Sequence, residues 1–394
     1  HPWDDARRDA ARKIIREKLL PEDHSHDLRD MLNEDGDGVW VLNATGELAA
    51  PAVGQWLSKR DQKRPFFVFL NYMESHAPLL PPRKYRERLM TPEQVRKSYD
   101  VDRSWLNMWG YSFGVHEYSA EALELTALTY DSALLELDGL FRALLDTLQQ
   151  QGALDNTIVV LTADHGEHLG EHHLLDHQLS AYEELTRVPL IVHYPQRFAP
   201  GRDAHPVMNA DLFPTLLDLA GVPLPEGLRT ATISLLEPAD ERERLAEYPT
   251  PRGGAVRKVN DSGRFSQRVD PQRWARGLRA FYVGQYKLIW SSLEDHELYD
   301  LKADPHEAHN LIAQRPALAR ELLNLLDVYL ADLEQDQRAA DDGPGLSPDD
   351  LQRLGGLGYV DYGSGPQKEP TTTSAPASRP ATQPADTPEA GDDS

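Results

Sequence analysis

Between Glu121 and Gln150, apolar residues recur in steps of four and three, at Leu123, Ala127, Tyr130, Leu134, Leu137, Phe141, Leu144 and Leu148. That period belongs to one face of an α-helix, and Gly152 supplies its stop. Two short β-branched runs, Thr157 to Thr162 and Val188 to His193, read instead as buried strands running parallel to each other. Helix, turn at Asp155-Asn156 and first strand then make the later part of a βαβ unit. Upstream, Pro65 to Met73 (PFFVFLNYM) predicts another buried strand and Ala49 to Leu57 a short helix. Arg83 to His116 reads as an irregular aromatic loop, and Trp3 to Leu20 as an amphipathic helix ended by Pro21. Downstream, Asp211 to Ala220 predicts a helix stopped by Gly221. Phe281 to Trp290 and Glu297 to Leu301 predict an antiparallel hairpin turning at Glu294-Asp295, and Ala317 to Leu333 a helix to cover it. From about Ser364 onward, Pro, Thr, Ala and Ser predominate, a composition with too little apolar surface to offset ordering entropy.

These elements predict where chemistry collects. In open α/β sheets a ligand site forms beyond the carboxyl ends of the strands. The segment that follows Thr162 carries Asp164, His165, Glu167, His168, Glu171, His172, His173, Asp176 and His177. Asp164 with His165 offers a hard carboxylate and an imidazole at a strand end, a fitting start for a divalent cation site. His76, which follows the strand at Pro65 to Met73, falls on the same edge. His168 and His173 read as solvent-exposed, acid-paired side chains.

Two rival motifs fail on their geometry. His168-Leu169-Gly170-Glu171-His172 fits the H-x-x-E-H zinc pattern, but Gly166 and Gly170 interrupt the helix that this chemistry needs. Asn33 to Gly38 (NEDGDG) begins like a calcium loop, yet Ala44 stands where the bidentate Glu belongs, so an acidic turn is expected. No G-x-S-x-G elbow occurs.

Composition narrows the function further. A formal net charge of -23 gives no basic stripe with which to displace counterions from nucleic acid. The absence of cysteine excludes disulfides, thiolate metal sites and a cysteine nucleophile within these 394 residues. No apolar stretch reaches the roughly 20 residues that span a bilayer, so no membrane span is expected in this segment. Oligomeric state is not legible.

Taken in order, several phrases of the chain resemble the sulfatase branch of the alkaline phosphatase superfamily. PFFVFLNYMESHAPLLPP resembles its strand and H-x-P loop, and DNTIVVLTADHGEHLGEHHLLDHQLSAYEELTRVPLIVHYP its D-[NH]-G segment. DLFPTLLDLAGVPLP, YKLIWSSLEDHELYDLKADPHEAHNL and LQRLGGLGYV are similar to further landmarks. The resemblance implies an α/β fold with an alkaline-phosphatase-like, mixed and largely parallel sheet flanked by helices, and a small C-terminal α+β unit. It divides the chain into a catalytic domain (1–227, N-terminally truncated), a small subdomain with the hairpin (228–340), a closing segment (341–363) and a disordered tail (364–394).

The same resemblance implies hydrolysis of sulfate esters by a formylglycine beside a calcium ion. Asp164 and His165 would be metal ligands, His76 would hydrogen-bond the sulfate, and His177 would assist at the ester oxygen. His177 stands 13 positions after Asp164, where many relatives carry Lys, and an imidazole of ordinary pKa would lower the pH optimum. Because no Cys or Ser-x-Pro-x-Arg motif is present, the formylglycine is expected upstream of His1, and the fragment alone is expected to be inactive. The expected partner is a sulfated small molecule or carbohydrate, and the expected compartment periplasmic or extracellular. A phosphodiester or phosphonate monoester hydrolase of the same superfamily and a non-catalytic binding protein remain as alternatives.

Overall fold

The computed structural model describes residues 46–224, 232–237, 239–249 and 254–340, with side chains described as far as 334. In chain order the helices and strands are α1 (Ala49–Lys59), α2 (Arg83–Leu89), α3 (Pro92–Ser98), α4 (Trp105–Ser112), α5 (Ala120–Gln150), β1 (Val159–Thr162), β2 (His168–Leu169), β3 (Leu175–Asp176), α6 (Glu183–Thr186) and β4 (Leu190–His193). There follow α7 (Leu212–Ala220), β5 (Arg244–Tyr248), α8 (Gly254–Asp261), α9 (Pro271–Trp274), β6 (Leu278–Val283), β7 (Tyr286–Ser291), β8 (Glu297–Asp300) and α10 (Pro316–Ala340). Expectations for Trp3 to Leu20, Asn33 to Gly38, 341–363 and 364–394 lie outside the described residues. No helix among the described residues is long and apolar enough to cross a membrane.

Helix α5 forms where its period predicts, started by the Ser119 side chain accepting from the backbone of Ala122. Its C-terminal half buries the predicted stripe, with Leu144 and Leu148 against Ala50, Val53 and Leu57 of α1. The N-terminal half departs from it: Leu125, Thr129, Ser132 and Ala133 are buried while Leu134 is exposed. The reason is a buried arginine. Arg86 of α2 donates to the Thr129 hydroxyl at 3.2 Å, the Ser98 hydroxyl at 2.8 Å and the Pro81 carbonyl at 3.2 Å. Small polar residues leave room for that guanidinium and satisfy it, which a stripe of leucines would not.

Two strand expectations are corrected. β1 and β4 pair antiparallel, with Val159 opposite His193 and Thr162 opposite Leu190. Their connection holds the two-residue strands β2 and β3, a 3-10 turn at Glu171–His173 and the single turn α6, with no crossover helix of the kind that returns a chain parallel. All ladders among the described residues are antiparallel, so the largely parallel sheet is not seen there. Pro65 to Met73 forms neither helix nor ladder, and Phe67 and Phe69 are 78% and 69% exposed. An apolar run becomes a buried strand only where a neighbour offers both hydrogen bonds and a covering surface.

The C-terminal sheet runs β5-β6-β7-β8. The single strand expected at Phe281 to Trp290 breaks into β6 and β7 at Gly284, whose φ of 55° suits glycine in a tight turn. One face of this sheet, Phe281, Leu288 and Leu298, packs on Ala319, Leu322 and Leu326 of α10. The other face, Leu278, Ala280, Tyr282, Ile289 and Tyr299, packs on Ala181 and Tyr182. The sheet therefore backs directly onto the histidine-rich segment. The region from Arg83 to His116, expected to be irregular, contains three short helices. Its Trp109 and Phe113 pack on Leu179, Val256, Val259 and Val269.

Candidate active site

Three imidazoles meet beyond the end of β1. Ring centroids lie 4.3 Å apart for His165 and His177, 4.8 Å for His76 and His177, and 6.4 Å for His76 and His165. His76 arrives from the loop after Met73, whose backbone carbonyl accepts the His76 N–H at 3.0 Å. His165 follows β1 directly, and His177 follows β3. The structure thus joins three of the four residues singled out from the sequence, and Asp164 precedes one of them.

Backbone carbonyls fix two of the rings. His76 Nδ1 donates to its neighbour's carbonyl, Ala77 O, at 2.6 Å, and His165 Nδ1 to Gly166 O at 2.8 Å. A carbonyl only accepts, so the neutral form of each ring carries its lone pair on Nε2. His165 Nε2 lies 3.9 Å from Asp164 Oδ1. A cation with bonds of about 2.0–2.4 Å can bridge that separation.

His177 differs from both. Its Nδ1 lies 2.8 Å from Asp176 Oδ1 and 3.1 Å from Glu167 Oε2. Burial by itself favours the neutral ring, but the Asp176 carboxylate, then Glu167, overcomes it and raises the His177 pKa to about 10. Hence His177 is an imidazolium across the neutral range, and the lowered pH optimum expected from an ordinary histidine does not follow. Asp176 is buried; burial raises its pKa, yet His177 and the Trp109 indole hold it below the usual carboxylate range. Trp109 Nε1 donates to Asp176 Oδ2 at 2.9 Å. Burial raises Glu167, opposed by His177. Burial lowers His76, and the neighbouring His177 lowers it further.

Glu167, Asp176 and Trp109 were not assigned from the sequence. Donor atoms of His165, Glu167 and His177 lie within 4.8 Å of one another, but His177 as an imidazolium has no lone pair to offer a metal there. A signal existed for Glu167, which lies in the same loop three residues after Asp164. Nothing in the sequence placed Trp109 beside Asp176.

Other histidines of the loop serve its packing. His168 is fully buried, not exposed; its Nε2 contacts Ser180 Oγ at 2.6 Å, and burial lowers its pKa to about 3. His173 lies over Tyr111 with centroids 4.0 Å apart. His172 stacks on Tyr182 at 3.8 Å and, with Glu184 and Glu307, forms a second group of metal-competent donors. There, the Lys287 ammonium already lies 2.8 Å from Glu307 Oε1 and competes with any cation.

A family model described as Sulfatase matches residues 33–222, the span that contains the three-imidazole cluster and its carboxylates. Residues 33–222 belong to the sulfatase family. The chain is 34% identical over 213 residues to an N-acetylglucosamine-6-O-sulfatase of Bacteroides thetaiotaomicron, covering 50% of this chain and 34% of that relative. To a choline-sulfatase of Rhizobium meliloti it is 29% identical over 269 residues, covering 65% of this chain and 48% of the relative. The chain thus spans about a third to a half of the length of these two relatives. Its backbone is similar to the crystal structure of a phosphonate monoester hydrolase of Agrobacterium radiobacter, with a TM-score of 0.53 and 21% identity over 74% of this chain and 60% of that one. That likeness shows a shared fold. The donor chemistry also suits the metal that sulfatases imply: carboxylate oxygens and an Nε2 lone pair converge at one strand end.

Proposed function

We infer that the protein hydrolyses sulfate esters, with Asp164 and His165 holding a calcium ion, His76 and His177 meeting the sulfate, and a formylglycine from outside these residues as nucleophile. The reading rests on one observation: in a sulfatase chain, a fixed imidazolium and two lone-pair imidazoles share one strand edge with Asp164. Calcium when bound would supply positive charge opposite the sulfate oxygens. The formylglycine is the expected attacking group.

The chain's own residues divide the remaining work. His177, held charged by Asp176 and Glu167, presents a permanent N–H donor to an anion and a proton for the departing ester oxygen. His76 is held neutral with Nδ1 engaged by Ala77, so it donates to a sulfate oxygen only after taking a proton on Nε2, a change that the anion's charge favours. Burial of Asp176 and Glu167 keeps water from screening the imidazolium. The N-acetylglucosamine-6-O-sulfatase relative supports a sulfated carbohydrate as the substrate class.

The test uses the complete protein. Sulfate release from an aryl sulfate and from a sulfated aminosugar is compared with hydrolysis of an aryl phosphonate monoester. Faster turnover of the sulfates is expected; a preference for the phosphonate overturns the assignment. Asp164→Asn should abolish both turnover and calcium dependence.

A further inference from the structure

We propose that Lys287 and Glu307, from the C-terminal sheet and the loop after it, are positioning residues for the site loop that carries Asp164, His165 and Glu167. Lys287 on β7 is fully buried, with Nζ 2.8 Å from Glu307 Oε1 and 3.1 Å from Glu183 Oε1. The other Glu307 oxygen, Oε2, accepts the backbone N–H of Glu183 at 2.6 Å. It thereby satisfies one of the donors left open at the start of α6. The Tyr282 hydroxyl of β6 donates to Glu183 Oε1 at 2.8 Å and meets Thr186 Oγ1 at 2.7 Å. A one-turn helix does not hold itself; α6 is held by these contacts.

Helix α6 in turn holds the site. The Gly166 N–H donates to Leu185 O at 2.9 Å. A β-carbon at Gly166 would collide with the Glu184 carbonyl oxygen, so the loop backbone lies directly against the α6 turn. Gly166 sits between His165 and Glu167, and its carbonyl fixes the His165 ring. Any shift of α6 therefore moves both donors and the acceptor that sets the His165 tautomer. Lys287 is the cation shared by the buried Glu307 carboxylate and the half-buried Glu183 carboxylate, so removing it leaves uncompensated charge at the α6 turn. The sheet that carries none of the chemistry thus sets the geometry of the loop that does. What the loop does rests on the sulfate ester reading; the coupling does not.

The test measures amide exchange across Asp164–Gly170 by mass spectrometry on the full chain, with calcium affinity determined by calorimetry. In Lys287→Met and Glu307→Gln, exchange at Gly166 should rise at least tenfold and calcium affinity fall at least fivefold. Exchange in the central turns of α5 should stay unchanged. Gly166→Ala should cost calcium affinity while leaving exchange in β6 and β7 unaltered. Should Lys287→Met fail to fold, Glu307→Gln decides, because it keeps an acceptor for the Glu183 N–H while losing the charge. Unchanged Gly166 exchange in a folded variant overturns the coupling. Raised exchange in a chain whose wild type binds no calcium leaves the coupling standing and removes the sulfate ester reading.

Discussion

The β1–β4 ribbon and the β5–β8 sheet are built from similar apolar, β-branched and aromatic sequence, yet they end differently. The sheet is covered on both faces, and Phe281, Leu288 and Leu298 have no exposed surface. Beside the ribbon, Phe67 and Phe69 are mostly exposed, and Ile191 on β4 is 56% exposed. The candidate site gathers at the end of the ribbon. Stability and reactivity are thus concentrated in separate regions, as expected where a rigid scaffold carries a loop-borne site.

The comparison breaks most sharply at His177. In the complete protein, His177→Ala should lower kcat for sulfate release by about 10²–10⁴-fold, the range of a positioned acid. If the regions were cleanly divided, this change would leave stability alone. It should not: Asp176 loses the cation beside it, and chemical denaturation should show a loss on the order of 3–5 kcal/mol. Phe281→Ala, in the sheet, should cost about 3–5 kcal/mol through the cavity it leaves, without lowering the turnover of the folded fraction.

Titration sharpens the comparison. The folded pKa of His177 is raised, so the stability that it contributes is complete below about 6.5 and fades as pH rises through about 10. The stability gap between wild type and His177→Gln, followed by urea unfolding, should shrink over that window. His168 behaves in the opposite sense. Its pKa is lowered to about 3, so folding loses stability as pH falls from about 6.5 towards 3, and His168→Gln should flatten that slope. The smallest effect belongs to the exposed ribbon flank, where Phe67→Ser should change unfolding free energy by about 0.5 kcal/mol or less.

Helix α5 was legible because its period is long and regular, and Asp164 and His165 stood out because they follow a strand; His177 was singled out through the family resemblance, and His76 reaches the cluster although its expected strand forms no ladder. Strand direction was not legible, since it depends on what fills the connection, and only the structure shows α6 in place of a crossover helix. The aromatic stretch hid α3 in spite of its own signal, Thr91-Pro92-Glu93-Gln94, which forms a capping box with Pro at the first turn. Glu167 and Asp176 escaped because their importance comes from burial beside His177. A sequence lists a carboxylate without saying how much water it keeps. The same holds for His168, read as exposed and found with no exposed surface.

The hydrogen bond from the Trp109 indole to Asp176 gives the site its own optical label. Indole emission responds to the charge and hydration of whatever its N–H touches, and here it touches the carboxylate paired with His177. A Trp109→Phe difference spectrum would isolate that signal from the other tryptophans and follow arrival of an anion without any attached dye.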